Sequence, residues 1–237
     1  MALEARDLVK SYAGHRVVDR LSICVERGQV IGLLGPNGAG KTTTFYLIIG
    51  FLAAEAGGVV LDGTAISPLP FWERARRGIG YLPQEPSVFT RATVEGNLDL
   101  VLEWQARKAR EALREELLRE FRLEPLRRRR AGTLSSGERR RLEIARSLAT
   151  SPAYILLDEP FSGIDPISVA ELQSEILALK QRGLGIVVTD HNVRDTLTIT
   201  DYAYLVNEGR VITAGTPQEI LDDPLARRFY LGDRFQA

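Results

Sequence analysis

A short glycine-rich segment near the start of the chain has the composition of a phosphate-binding loop. Residues 35–42 read Gly-Pro-Asn-Gly-Ala-Gly-Lys-Thr and match the pattern G-x-x-x-x-G-K-[S/T]. Glycines let backbone N–H groups approach phosphate oxygens closely, Lys41 would neutralise the β- and γ-phosphates, and the Thr42 hydroxyl would help to hold Mg²⁺. A glycine-rich turn beside a surface lysine is the alternative, but such a chance match is roughly a one-in-a-hundred event. The nucleotide-binding candidates are Gly35, Pro36, Asn37, Gly38, Ala39, Gly40, Lys41, Thr42 and Thr43.

Two neighbouring carboxylates follow a second apolar run. Asp158 and Glu159 come directly after residues 154–157, Tyr-Ile-Leu-Leu. An aspartate at the carboxyl edge of a buried strand can fix Mg²⁺ through its water shell, and the next carboxylate can polarise an attacking water. The alternative is a helix-capping pair before Pro160. A phosphate loop in the same chain favours the catalytic interpretation.

The elements that must hold these residues alternate between strands and helices. Residues 21–26 alternate apolar and polar side chains, which predicts a strand with one buried face. Residues 30–34, 154–157 and 186–188 are continuous apolar runs, typical of strands covered on both faces. Further strands are predicted at 58–61, 79–82, 202–207 and 210–213, and helices at 41–52, 136–149, 167–182 and in two short C-terminal turns. This alternation indicates an α/β fold with a mainly parallel sheet.

Residues 94–130 differ from the rest of the chain. Val94, Leu98 and Leu102 fall at helical spacing within dense charge, and β-type runs are absent, which predicts a helical insertion. The insertion ends in four adjacent arginines, residues 127–130. Such a run is typical of a solvated helix end, and a contact with phosphate or a partner is the alternative.

Composition excludes several other classes of protein. The 237 residues are 44% hydrophobic and contain one cysteine, so disordered, collagen-like and disulfide-scaffold proteins are excluded. The 31 basic and 31 acidic side chains cancel, so no broad basic surface attracts nucleic acid. No signal peptide and no apolar stretch of about 18 residues is evident. We therefore expect a cytoplasmic protein.

Residues 134–138, Leu-Ser-Ser-Gly-Glu, discriminate among the classes that share a phosphate loop. Taken alone, Ser135 and Glu138 form a capping box, and a capped, exposed helix N-terminus is a second anion site. The segment also resembles the signature of the ATP-binding-cassette (ABC) ATPases. That resemblance implies that Ser135 and Gly137 face the γ-phosphate held by another subunit. Ser136 replaces the commoner glycine and Glu138 the commoner glutamine, and these departures leave the turnover rate open, more than the chemistry.

Other motifs of the same family follow in order. The resemblance implies that Tyr12 stacks on adenine, that Gln84 touches Mg²⁺ and water, and that His191 contacts the γ-phosphate. It also implies that Ser162 and Asp165 communicate across a dimer. Without the resemblance, Tyr12 would be a packing tyrosine and His191 a structural histidine. The implied catalytic set is Glu159, His191 and Gln84, and the implied metal-binding set is Thr42, Gln84 and Asp158.

The resemblance covers nearly the whole chain and implies its architecture. The expected fold is a P-loop ABC ATPase, with a RecA-like core, an N-terminal antiparallel β-subdomain and a helical subdomain. Residues 1–237 would form a single domain. Its core would comprise residues 1–84 and 152–237, and its helical signature subdomain residues 85–151.

The resemblance also implies a dimer and membrane partners. The phosphate loop of each copy would face the signature segment of the other copy. A head-to-tail homodimer would therefore enclose two molecules of MgATP. Closure would desolvate the phosphates, and hydrolysis would let the dimer open. Because the chain has no membrane span, a transport role implies separate membrane subunits.

Four segments narrow the resemblance further. Residues 80–89, 155–169, 189–197 and 230–235 are similar to those of ATPases that power lipopolysaccharide export. Those ATPases lie on the cytoplasmic face of the inner membrane, beneath two integral subunits of the LptF and LptG type, and serve a periplasmic bridge. The ATPase of a branched-chain amino-acid importer and a soluble ABC ATPase acting in translation or DNA repair are the alternatives. A single cassette, a short insertion and balanced charge disfavour the soluble class.

Phe89 allows two interpretations. The resemblance implies that it lines the groove for a coupling helix of the membrane subunit. From the residues alone, Phe89 could instead form a hydrophobic staple, in which it precedes a Thr90 cap and packs on Val94.

Overall fold

Two β-sheets and the helices packed against them form the framework of the protein. The structure is a computed structural model that describes residues 1–103 and 105–228, so segment 230–235 of the sequence resemblance lies outside the described residues. The strands are β1 (Ala2–Tyr12), β2 (His15–Glu26), β3 (Val30–Leu34), β4 (Ala56–Leu61), β5 (Thr64–Ala65), β6 (Ile79–Leu82), β7 (Tyr154–Asp158), β8 (Gly185–Thr189), β9 (Tyr202–Asn207) and β10 (Arg210–Gly215). The helices are α1 (Lys41–Ile49), α2 (Phe71–Arg76), α3 (Val94–Val101), α4 (Arg107–Glu120), α5 (Ser136–Leu148), α6 (Pro166–Gln181), α7 (Val193–Leu197), α8 (Pro217–Asp222) and α9 (Pro224–Ala226).

The larger sheet has the strand order β10-β9-β3-β8-β7-β6. All its pairs are parallel except β9 with β10, which form an antiparallel hairpin. Every residue of β3, β7 and β8 is buried, as expected for strands covered by helices on both faces. The predicted α/β fold with a mainly parallel sheet is therefore confirmed.

The parallel strands bring their carboxyl ends to one edge of this sheet. The glycine-rich loop follows β3, Gln84 follows β6, Glu159 follows β7 and His191 follows β8. Ligands of open α/β sheets bind at this edge, because the loops that leave adjacent strands converge there. The topology thus brings these candidate site residues, which are far apart in the sequence, to the same edge of the sheet.

The smaller sheet is antiparallel, with the order β2-β1-β4-β5. The sequence pattern predicted only residues 21–26 of its first two strands. Both strands are longer, and the pairing register of β1 with β2 shifts at several points. Asp7, Ala13 and Arg20 adopt positive φ angles of 48°, 48° and 53°. Such irregularities move side chains to the opposite face and hide the period-two alternation.

The insertion between β6 and β7 is helical, as predicted, and contains α3, α4 and α5. Its apolar side chains share a core with α6 and with one face of the larger sheet. α1 ends earlier than predicted, at Ile49, because Gly50 adopts a left-handed conformation and closes the helix. None of the helices in the described part of the chain has the length and apolar content that crossing a membrane requires.

Glu175, in the middle of α6, is a buried carboxylate without a hydrogen bond among the described residues. Burial raises its pKa to about 7, although Arg141 and Arg122 act in the opposite direction. Because the folded state then binds more protons than the unfolded state, the unfolding free energy should fall between pH 4.5 and about 7. The expected decrease in the unfolding free energy is roughly 2 kcal/mol, a value reduced to allow for screening by solvent.

Glu175→Gln is therefore expected to be more stable than the wild type at pH 8 and about equally stable at pH 4, below the range in which the carboxyl titrates. Denaturant unfolding at the two pH values measures the difference. The exposed pair of Glu111 with Arg107 on α4 offers a matched control, Glu111→Gln, which should leave the unfolding free energy nearly unchanged. An equal effect of Glu175→Gln at both pH values would contradict the titration of this carboxylate.

Candidate nucleotide site

A cleft of about 470 Å³ opens at the carboxyl edge of the larger sheet. Its lining residues come from the glycine-rich loop, the start of α1, the ends of three parallel strands and the N-terminal hairpin. They are Val17, Asn37, Gly38, Gly40, Lys41, Thr42, Thr43, Gln84, Glu159 and His191. The structure therefore brings the predicted phosphate loop and the predicted catalytic residues together. Val17 was not predicted, because no sequence signal distinguishes an apolar strand residue that lines a cleft from one that packs in the core.

The glycine-rich loop opens directly into α1. Gly40, at the N-cap, has a φ of 101°, and a Cβ atom there would lie 2.4 Å from the Val17 carbonyl oxygen. Only glycine fits this combination of backbone conformation and close approach. With no capping side chain, the first backbone N–H groups of α1 and the positive end of its dipole point toward the cleft. The loop and the start of the helix thus have a geometry suited to bind phosphate.

Lys41 lies in the first turn of α1 and is 6% exposed. Its ammonium group donates hydrogen bonds to the carbonyl oxygens of Gly35 and Pro36, at 2.7 and 3.0 Å. Burial lowers the pKa of Lys41, and the carboxylates of Glu159 and Asp158 oppose this shift. A desolvated cation beside the loop is suited to bind a polyphosphate.

Asp158 ends β7 and is 1% exposed. Its Oδ1 atom accepts a hydrogen bond of 2.6 Å from the Thr189 hydroxyl and lies 3.5 Å from the Thr42 hydroxyl. Its Oδ2 atom accepts one of 3.4 Å from the Tyr81 hydroxyl. A carboxylate that converges with a hydroxyl at the phosphate loop provides the hard oxygen donors that Mg²⁺ prefers. The donor set therefore fits the predicted metal.

Glu159 adopts an unusual backbone conformation, with a φ of +45°. Its amide N–H donates to the Thr189 carbonyl oxygen at 2.9 Å, which holds this strained geometry in place. The side-chain amide of Gln84 donates to Glu159 Oε2 at 2.8 Å, and His191 Nδ1 lies 3.5 Å from the same oxygen. The carboxylate is thus aimed at the cleft, between an amide and an imidazole.

Arg140, on α5, contacts the backbone of this site from behind. The guanidinium is 7% exposed and donates to the carbonyl oxygens of Asp158 at 2.8 Å, Glu159 at 3.2 Å and Pro83 at 2.9 Å. It also pairs with Glu143 on the same helix. Within a run of three arginines, nothing in the sequence distinguished this buried side chain from its two partly buried neighbours.

The signature-like segment, residues 134–138, begins α5 as predicted. Ser135 accepts a hydrogen bond from the Glu138 N–H at 3.2 Å, and the Glu138 carboxylate accepts one from the Ser135 N–H at 2.7 Å. The predicted capping box is therefore confirmed. At Gly137, a Cβ atom would lie 2.4 Å from the Ser168 hydroxyl of α6, so a side chain would push the two helices apart. Neither Ser135 nor Gly137 is among the described residues that line the cleft.

Three further candidates lie outside the cleft lining. Tyr12 is 45% exposed at the tip of the β1–β2 hairpin, with the Lys10 ammonium 5.8 Å from its ring centre. Ser162 is exposed on the loop that follows β7. Asp165 caps α6 and accepts hydrogen bonds from the N–H groups of Ile167 and Ser168, and these contacts lower its pKa.

The staple interpretation of Phe89 is wrong. The N-cap of α3 is Thr93 instead of Thr90, and Phe89 is 50% exposed. Its backbone is fixed by Asn97, and its ring faces the Arg146 guanidinium at 4.8 Å. An exposed aromatic ring on a fixed backbone, beside a cation, is suited to contact another protein.

Comparison with known proteins gives consistent results. The family model described as ABC transporter matches residues 18–162. The lipopolysaccharide export system ATP-binding protein LptB of Acidithiobacillus ferridurans is 53% identical over 99% of this chain and 98% of its own length. The protein of the same name from Escherichia coli K12 is 51% identical over the same shares of both chains. The solved ADP conformation of MJ1267, an ATP-binding cassette of an ABC transporter, superimposes with a TM-score of 0.88 at 28% identity, covering 98% of this chain and 100% of that one.

Proposed function

Because this chain belongs to the ATP-binding proteins of ABC transporters, which hydrolyse ATP, we propose that it powers the export of lipopolysaccharide from the inner membrane. The observation that carries the proposal is the 53% identity, over nearly the whole chain, to an ATP-binding protein of a lipopolysaccharide export system. In this proposal the chain acts as a head-to-tail homodimer on the cytoplasmic face of the membrane, bound to two integral subunits of the LptF and LptG type.

The arrangement of the candidate residues supports pairing of two copies. The cleft holds the phosphate loop and Glu159. Ser135 caps a different helix, α5, and the N-terminus of α5 is not part of the cleft lining. A helix N-terminus binds anions through its backbone N–H groups and dipole. A second copy, reversed, would bring that N-terminus to the γ-phosphate and complete the site.

Each candidate residue predicted from the sequence then has a defined task. Lys41 and the N–H groups of α1 bind the phosphates, and Tyr12 stacks on adenine. Thr42, Asp158 and Gln84 would hold Mg²⁺, which when bound neutralises charge on the β- and γ-phosphates. Glu159 orients and polarises the attacking water, while His191 contacts the γ-phosphate. Ser162 and Asp165 lie on the loop that reports this state to the other copy.

Copurification tests the transport assignment. The tagged chain is isolated from detergent-solubilised membranes of its own organism, and bound integral proteins are identified by mass spectrometry. We expect two related membrane subunits. Periplasmic bridge proteins should be found with them, either in the same complex or encoded by neighbouring genes. Recovery of amino-acid permeases, or of ribosomes or DNA-repair proteins, would overturn the assignment in favour of an importer or a soluble ABC ATPase.

Phe89→Ala should weaken binding of the membrane subunits and leave nucleotide binding unchanged. Truncation of an aromatic side chain at the hot spot of an interface typically weakens the binding free energy by about 2 kcal/mol or more. Pull-down of the membrane subunits measures the first effect, and titration with ATP the second. Leu225→Ala, at another exposed apolar residue, is a control that should change neither. Normal assembly and export by Phe89→Ala would remove Phe89 from the coupling surface.

A further inference from the structure

The arginine run at residues 127–130 is only partly explained by solvation. Arg127 pairs with Glu95 and Glu115, which fixes the end of the helical insertion. Arg128 is exposed and has no ion pair among the described residues. Arg129 differs from both, because its contacts lie in the segment that leads into α5.

Arg129 holds that segment at two points. Its guanidinium donates to the Thr133 carbonyl oxygen at 2.8 Å and lies 3.7 Å from Glu138 Oε1. The other carboxylate oxygen of Glu138 accepts the hydrogen bond from the Ser135 N–H. Glu138 is thus bound on one side by the signature backbone and on the other by Arg129.

The acidic side chain of Glu138 creates an electrostatic problem. A carboxylate in the first turn stabilises a helix, because it faces the positive end of the dipole. The same charge opposes the approach of a triphosphate to that helix N-terminus, and a neutral amide would not. The guanidinium of Arg129 lies close enough to offset the charge of Glu138 while the capping bond remains intact.

We propose that Arg129 is a positioning residue of the signature segment, which holds its backbone at Thr133 and neutralises Glu138 so that the α5 N-terminus can accept the γ-phosphate of a second copy. The inference rests on the proposed pairing of two copies. It assigns a function to an arginine that the sequence pattern assigned to solvent, and it explains how an acidic residue is tolerated at position 138.

The test is a double-mutant cycle in the full chain, with ATP hydrolysis measured against ATP concentration. Arg129→Ala should reduce kcat/KM roughly three- to tenfold, the range expected for a charge at a helix terminus. Arg129→Ala combined with Glu138→Gln should recover to within about twofold of Glu138→Gln alone, because the charge to be offset is gone. Raising the salt concentration should shrink the effect of Arg129→Ala, since this pair is partly exposed.

Arg128→Ala removes an equal charge one residue away and should retain the wild-type kcat/KM. Binding of ADP to Arg129→Ala should also be unchanged, because ADP binds through the phosphate loop. Equal losses in Arg128→Ala and Arg129→Ala, or additive losses in the double mutant, would overturn the proposal. Wild-type turnover by a chain that gel filtration in the presence of ATP shows to be monomeric would instead contradict the paired-copy mechanism itself.

Discussion

Glu159→Gln is expected to reduce ATP turnover by about 10²- to 10⁴-fold, the usual contribution of a general base, while ATP still binds. Glutamine keeps the size of the side chain and its contact with Gln84, but it cannot polarise the attacking water. ATP should therefore remain bound between two copies. Phosphate release measures turnover, and gel filtration with and without ATP measures the trapped dimer.

Glu103→Gln provides the matched control, since Glu103 is exposed in the helical insertion and distant in sequence from the cleft residues. It should hydrolyse ATP at the wild-type rate and show no trapped dimer. Brisk hydrolysis by Glu159→Gln would exclude Glu159 as the residue that activates water. Loss of ATP binding would show that the substitution disturbs the phosphate loop instead.

Lys41→Ala should weaken nucleotide binding roughly 10- to 100-fold, the value of one to two charge-assisted hydrogen bonds in a desolvated site. The substitution removes the ammonium that we propose binds the phosphates, and it leaves two loop carbonyls, at Gly35 and Pro36, without their donor. Calorimetric titration with ATP measures the affinity.

Thermal unfolding of Lys41→Ala separates loss of the ligand contact from loss of the fold. Lys108→Ala, an exposed lysine on α4, is the control for a change of net charge and should bind ATP as the wild type does. Unchanged ATP affinity in Lys41→Ala would contradict the phosphate-loop assignment.

The sequence predicted the centre of the fold well, for a physical reason. A strand covered on both faces needs a continuous apolar run, and residues 30–34, 154–157 and 186–188 supply it. A loop that wraps phosphate needs glycines and a lysine in fixed order. Where a structural element accepts only a few residue types, its position can be predicted from a single sequence.

Contacts that depend on packing could not be predicted in this way. Thr189 and Tyr81 both donate to Asp158, but a threonine at a strand end and a tyrosine in an apolar run are common in any fold. Arg140 is buried and Arg128 is exposed, although both lie in arginine runs. The N-cap at Thr93, three residues after Thr90, shows the same limit, because both residues are competent caps.

The buried contacts of Arg140 have a consequence for movement within each copy. Its buried guanidinium joins α5 to the backbone of Asp158 and Glu159 through charge-assisted hydrogen bonds. If the helical insertion rotates relative to the larger sheet, the fewest of these hydrogen bonds break when the rotation axis passes near Arg140. We therefore expect this arginine to act as a pivot, about which the outer end of the insertion travels far while the Glu159 carboxylate stays almost still.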